Sequence, residues 1–191
     1  MRIVAGEWRG RILLAPKGAD TRPTSDRVRE AVFSALQSRI GSLEGATVLD
    51  PFAGSGALVL EALSRGADSA VAIDQDRAAR DAIARNAVAL GCSDKITTLG
   101  GDAFRLARGG LHGGAFTLLF LDPPYKIVPA LVSQLMEDLA ESGALAPGAV
   151  VVYEHASRAV PVWPEGFAVT GERTYGTTAI SYATYEGKRL T

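Results

Sequence analysis

Asp50-Pro51-Phe52-Ala53-Gly54-Ser55-Gly56 lies between the run Ala46 to Leu49 and a helix-like run from Ala57 to Leu63. A β-branched and apolar stretch that ends in a carboxylate, followed by a glycine-punctuated turn and a helix start, reads as the first βα unit of a nucleotide-binding α/β sheet. The glycines let the backbone pass close to a ligand, and the helix N-terminus presents unpaired N–H groups beside it. A Gly-x-Gly turn alone is weak evidence, because a tight βα turn needs the same residues.

The dinucleotide version of this turn requires a small residue three positions after the second glycine, where helix presses on strand. That position is Val59, which counts against NAD or FAD. Asp50 at the strand end would repel a pyrophosphate and attract an ammonium or sulfonium group. The cofactor that fits is S-adenosylmethionine.

Later strands repeat the pattern. Ala70 to Asp74 ends in a carboxylate 74 − 50 = 24 positions after the first, where a ribose diol is held by paired hydrogen bonds to an acidic residue. Asp76 suits a cap on the next helix, Arg77 to Leu90, whose apolar positions are Ala78, Ala82, Ile83, Ala87 and Leu90. Lys95 to Gly100 is a third strand, and Asp102 beyond it is placed to accept from an adenine amino group. Three strands ending in Asp on the ligand-binding edge of an open sheet make a stronger signal than any one of them.

Phe116 to Leu121 is nearly continuous in apolar residues, as in a parallel strand buried on both faces. It leads into Asp122-Pro123-Pro124-Tyr125. Two prolines neither continue a strand nor donate N–H groups, so the turn is rigid and rich in acceptors. A carboxylate, bare carbonyls and an aromatic ring suit a flat molecule carrying an NH₂ group. Val128 to Leu139 predicts a helix and Gly148 to Glu154 a fifth strand. Phe167 to Tyr175 and Thr178 to Glu186 read as an antiparallel pair joined around Gly176.

At the N-terminus, Arg2 to Gly6 and Arg11 to Ala15 flank Glu7-Trp8-Arg9-Gly10, which predicts a small hairpin. Trp8 has two readings, stacking on a base or covering the hairpin's own apolar face. Thr24-Ser25-Asp26 offers N-caps for a helix with Val28, Ala31, Val32, Ala35 and Leu36 on one face. Arg22, Arg27 and Arg29 cluster about its first turn, where cations oppose the helix dipole and call for RNA phosphates or acidic neighbours. Up to Arg39 the chain carries eight cations against four anions although its net charge is −1, a local basic patch that suits phosphates.

The 191 residues, 47% hydrophobic, suffice for one sizeable core. Cys92 is the lone cysteine, and with His112 and His155 the only histidines no zinc spacing arises. No metal is expected. Charged residues interrupt the N-terminus where a signal peptide needs an apolar core, and no run has membrane-spanning length. The reading is a cytoplasmic protein with no membrane partner.

The Asp50 to Gly56 stretch with Asp122-Pro123-Pro124-Tyr125 resembles the class I S-adenosylmethionine-dependent methyltransferases that modify exocyclic amino groups. More narrowly, Met1 to Gly6, Arg9-Gly10-Arg11, Thr21 to Thr24, Asp26 to Phe33 and Glu61 to Ala67 resemble the RsmD family. Its members methylate N2 of one guanine, position 966 in the usual rRNA numbering, in 16S rRNA of the small ribosomal subunit. The resemblance implies a Rossmann-like, mostly parallel sheet of seven strands with an antiparallel C-terminal strand, flanked by helices. It implies a hairpin extension over residues 1–20 that contacts RNA, and a methyltransferase domain over 21–191.

By the same resemblance Asp50, Phe52, Gly54 and Gly56 surround the methionine part of the cofactor, Asp74 the ribose, and Asp102 with Ala103 the adenine. Asp122, Pro123 and Tyr125 receive the guanine. Arg2, Trp8, Arg9, Arg11, Arg22, Arg27 and Arg29 face the RNA. A DNA or protein amino-methyltransferase would share both motifs, and a non-catalytic RNA-binding module would keep the basic segment but need not keep three strand-end carboxylates.

Overall fold

A computed structural model describes residues 1–16, 26–111 and 115–187. Two compact units divide the chain, Met1–Gly101 and Asp102–Thr191. Among the described residues seven strands follow the sheet order β3-β2-β1-β4-β5-β7-β6, and within each unit neighbouring strands are parallel except for the pairs that β7 makes. Strand β1 spans Thr47–Asp50, β2 Ser69–Asp74, β3 Ile96–Gly100, β4 Phe116–Leu121, β5 Leu145–Ala156, β6 Phe167–Tyr175 and β7 Thr178–Tyr185.

In the first unit β1 pairs with β2 and β2 with β3, all parallel, with Asp50 opposite Ala72 and Asp74 opposite Gly100. Parallel strands need crossover helices, and here these are α2 (Ala57–Ser64) and α3 (Arg77–Leu90). Helix α2 buries Val59, Leu60, Ala62 and Leu63, which explains its unbroken apolar sequence. On α3 the buried face is Ala79, Ala82, Ile83, Asn86, Ala87 and Leu90. It therefore includes Ala79 rather than Ala78, and a polar residue that periodicity does not flag.

The N-terminal runs turn back on each other through an antiparallel bridge between Arg2 and Ile12, with Ile3 N–H donating to Arg11 O at 2.9 Å. This arm rests on α2. Glu61, fully buried, accepts from Val4 N–H at 2.7 Å and Ala5 N–H at 3.0 Å. Ser64 Oγ donates to Ala5 O at 2.7 Å and accepts from Trp8 N–H at 3.0 Å. Gly6 is required there, because at φ +86 an added Cβ would lie 1.8 Å from Ser64 O.

Helix α1 (Asp26–Ile40) buries Arg29, Val32, Phe33, Ala35 and Leu36. The sequence pattern places Val28 and Ala31 on that face instead. Its buried face takes in Arg29 because the guanidinium meets buried Glu61 at 3.6 Å and Asp26 at 2.8 Å, and also donates to the Arg2 carbonyl. Glu61 further pairs with Arg65 at 2.8 Å, whose guanidinium lies 4.7 Å from the centre of the Phe33 ring.

In the second unit β4 pairs parallel with β5, β5 antiparallel with β7 and β7 antiparallel with β6. The tail is the antiparallel pair that its sequence predicts, turning at Gly176 with φ +63. Helices α4 (Ala103–Arg108) and α5 (Pro129–Glu141) complete the unit. Pro129 sits in the first turn of α5, where its missing N–H costs nothing. The β5, β7, β6 ribbon carries a polar chain: His155 Nε2 to Ser181 Oγ at 2.8 Å, and Ser181 Oγ to Glu172 at 2.8 Å.

Removing one partner from a buried ion pair strands the other, which costs about 3–5 kcal/mol. Glu61→Ala should therefore lower the unfolding free energy by that amount in chemical denaturation. The double change Glu61→Leu with Arg29→Met should cost clearly less than the sum of its single changes, and strict additivity would mean that the pair is not coupled.

Candidate functional site

In the first unit the C-terminal ends of β1 and β2 carry two carboxylates and the glycine loop. Asp74 Oδ2 accepts from Gly54 N–H at 2.8 Å and its Oδ1 from Asp76 N–H at 2.8 Å. It thus pins the loop of the neighbouring strand as well as its own turn. Asp50 accepts from Phe52 N–H at 3.0 Å. Ala53 N–H reaches across to Ile73 O at 3.0 Å, closing the loop onto β2.

The two glycines differ in reason. At Gly54, φ +53, an added Cβ would meet nothing within 4 Å, so the loop faces open space there. At Gly56, φ +77, it would meet Ile83 Cγ1 at 3.0 Å, so this glycine serves the close approach of loop and α3. Phe52 is partly buried. Arg80 donates to Asp74 O at 2.9 Å and Gln75 O at 2.7 Å, and an added Cβ at Gly100 would lie 3.0 Å from its guanidinium carbon. It covers the carbonyls at and just after the end of β2, one of which, Asp74 O, also accepts from Gly101 N–H at 3.4 Å, a task that its place in the sequence does not announce.

Burial pushes the Asp50 carboxyl from 3.8 up to about 7; the Phe52 N–H partly opposes the rise and the nearby Asp74 charge adds to it. A carboxylate held this way, beside a second one and next to a glycine loop that faces open space, suits a ligand with a positive charge. The donor set of the loop therefore fits a sulfonium or ammonium compound better than a pyrophosphate.

In the second unit Asp102 is the N-cap of α4, its Oδ1 accepting from Phe104 N–H at 2.9 Å and Arg105 N–H at 3.1 Å. Ala103 is buried behind it. Asp76 caps α3 in the same way, accepting from Ala78 N–H at 2.9 Å, as its sequence position predicts. Asp122 is partly buried, Pro123 is buried, and Tyr125 is half exposed. Tyr125 Oη lies 3.4 Å from Thr178 Oγ1. Ile127 N–H donates to Pro124 O at 2.8 Å, which closes the turn.

Of the residues assigned to RNA, Arg2, Arg9 and Arg27 are exposed and line one cleft of about 470 Å³ with Val4, Gly10, Asp26 and Glu30. Trp8 is partly buried. Arg11 Nη2 donates to Ala89 O at 2.6 Å, near the C-terminus of α3, where a cation is favoured. Arg29 must be corrected. It is fully buried, and the anions that its position calls for are Asp26 and Glu61 rather than phosphate. Arg22 and the cap candidates Thr24 and Ser25 lie outside the described residues.

Among the described residues no helix is long and apolar enough to cross a membrane. The family model described as "Conserved hypothetical protein 95" matches residues 1–184. "Ribosomal RNA small subunit methyltransferase D" of Escherichia coli (strain K12) is 35% identical, covering 97% of this chain and 89% of its own. A solved structure of the Escherichia coli protein yhhF has a TM-score of 0.84 at 32% identity, over 98% of this chain and 99% of that one. An RNA methyltransferase from Salinibacter ruber, in complex with S-adenosyl-L-homocysteine, shares the fold. Its TM-score is 0.64 at 20% identity, over 88% of this chain and 96% of that one.

A raised folded pKa means that folding takes up a proton, so the contribution of Asp50 to stability is greatest below about 3.8 and is lost as pH rises to about 7. Asp50→Asn removes the titration. In thermal melts without ligand, the variant should match the parent near pH 4 and exceed it above pH 7. A constant difference across that window would show that Asp50 is not held neutral.

Proposed function

The chain belongs to the family described as Conserved hypothetical protein 95, the RsmD family, and from that membership we propose that it transfers a methyl group from S-adenosylmethionine to N2 of a guanine in 16S rRNA of the small ribosomal subunit. The observation that carries the reading is the strand-end chemistry of the first unit, a buried carboxylate pushed up to about 7 beside a glycine loop facing open space. The activity named for the E. coli relative that covers nearly the whole chain supports it.

Asp50, Phe52, Gly54 and Gly56 hold the methionine part of the cofactor, Asp74 the ribose, and Asp102 with Ala103 the adenine. When bound, S-adenosylmethionine supplies an electrophilic methyl carbon on a cationic sulfur. Asp50 ionises to meet that charge, so cofactor affinity rises as pH passes through about 7. Asp74 and Asp102 already accept two N–H bonds each, and a carboxylate has roughly four lone-pair directions. Each therefore keeps acceptor capacity for the ligand.

Guanine N2 is a poor nucleophile because its lone pair is delocalised into the ring. Asp122 Oδ and the Pro123 carbonyl accept its two hydrogens and let the nitrogen become tetrahedral. Tyr125 stacks on the extruded base, a contact worth about 1–3 kcal/mol. With the cofactor bound at the glycine loop, Asp122 and Pro123 would hold the nitrogen toward its methyl carbon, that positioning would supply most of the remaining rate with no metal required, and the proton that N2 gives up on methylation would pass to Asp122. Residues 1–20 form the extension that contacts RNA, with its Arg2 and Arg9 and, on α1, Arg27 on phosphates, and residues 21–191 carry the catalytic domain in the cytoplasm.

Asp122→Ala should lower the single-turnover rate on small subunits by on the order of 10²-fold, with cofactor affinity changed far less. Asp122→Asn keeps one acceptor oxygen and should retain more activity than Ala. A nearly active Ala variant would refute the amine-holding role. Replacing Arg2, Arg9 and Arg27 together should weaken subunit binding and flatten its salt dependence, since each lost phosphate contact removes released counterions. An unchanged salt slope would leave those arginines as solvated surface.

A further inference from the structure

Asn86 is buried on α3 at 1% exposure, and neither the strand-end carboxylates nor the arginine cleft accounts for it. Its Nδ2 donates to Leu14 O at 3.0 Å and to Ser55 O at 3.2 Å, while its Oδ1 accepts from Leu14 N–H at 2.8 Å. Two carbonyls and one N–H fix which way round the amide stands, because only the nitrogen donates and only the oxygen accepts. The side chain closes a strand-like pair on Leu14, in the second run of the arm. With the same nitrogen it reaches the middle residue of Gly54-Ser55-Gly56.

The surroundings leave little slack. On the loop, Gly54 is held by Asp74. On the arm, Val4 and Ala5 are held by Glu61 and Trp8 by Ser64. Arg11, which follows the arm's turn, is fastened to Ala89, three residues beyond Asn86 on the same helix. Met1 and Ser55 meet again at 3.9 Å between Sδ and Oγ. A displacement of Leu14 must therefore either break its hydrogen bonds to the buried Asn86 amide or move Asn86 Nδ2, and with it Ser55 O.

We propose that Asn86 is a positioning residue that couples the arginine-bearing arm to the glycine loop, so that RNA held by the arm raises the affinity of the loop for the cofactor. The inference rests on the reading of the arm as RNA-contacting and of the loop as the cofactor's. Coupling between two sites is reciprocal, so cofactor also tightens RNA binding by the same factor.

The experiment measures the dissociation constant of S-adenosylhomocysteine, which cannot react, with and without saturating small subunits that lack the methyl mark. In the parent protein the subunits should tighten it by roughly five- to tenfold, an ordinary coupling. In Asn86→Ala the ratio should fall to near one. Asn86→Asp, which keeps the acceptor for Leu14 N–H and loses both donors, should do the same. Ser64→Ala loosens the arm on α2 without touching the loop and should keep the parent ratio.

A ratio of one in the parent, or the parent ratio in either Asn86 variant whatever its melting temperature, overturns the proposal. A further readout needs no variant: subunit binding without cofactor should slow amide hydrogen exchange across residues 50–60 of the parent, and unchanged exchange there overturns it too. The Arg2, Arg9 and Arg27 replacement separates the two claims. If it leaves subunit affinity unchanged, the arm reading has failed; if it weakens binding while Asn86 variants keep the parent ratio, only the coupling has failed.

Discussion

The carboxylate of Glu61 is the constraint from which much of the first unit is built. It is fully buried, and a buried charge persists only when paired and hydrogen-bonded. Two backbone N–H groups from Val4 and Ala5, the Arg65 guanidinium and the Arg29 guanidinium supply that. Each partner fixes a different element: the arm, the end of α2, and α1. Replacing this arrangement with apolar groups need not cost stability, but it would remove the hydrogen bonds to Val4 and Ala5 that, together with those of Ser64, tell the first run of the arm where to lie on α2.

The strand-end aspartates show a second economy. Asp50, Asp74, Asp76 and Asp102 each accept at least one backbone N–H from the turn that follows their strand, and Asp74 also holds Gly54 of the adjacent loop. The same residue types that shape the turns are those that a ribose, an adenine amine or a sulfonium would require. Asp50 stands apart, because burial pushes its carboxyl up to about 7, and a positive partner would favour its ionised form.

How much of this was legible follows from the physics of each signal. The parallel strands were legible because β4 is buried on both faces and so almost unbroken in apolar residues, and the tail pair because Gly176 lies between two β-branched runs. The strand-end aspartates were visible as a recurrence, and so was the capping role of Asp76, though not the N-capping by Asp102 or the loop-pinning by Asp74, since capping and ligand binding use the same side chain. Arg29 was misread because an arginine in a basic cluster carries no mark of burial; Asp26 is three positions before it, but its buried partner Glu61 is thirty-two positions away in sequence (61 − 29). Asn86 was missed for the same reason. Its partners Leu14 and Ser55 are backbone groups, and backbone acceptors leave no trace in residue identity.

One measurement bears most directly on the account: methyl transfer from labelled S-adenosylmethionine to small ribosomal subunits lacking the mark, followed by digestion and identification of the labelled nucleoside by mass spectrometry. The account predicts label in a single N2-methylguanosine of 16S rRNA. Label in another nucleoside, transfer only to duplex DNA or protein, or cofactor binding without any transfer would contradict it.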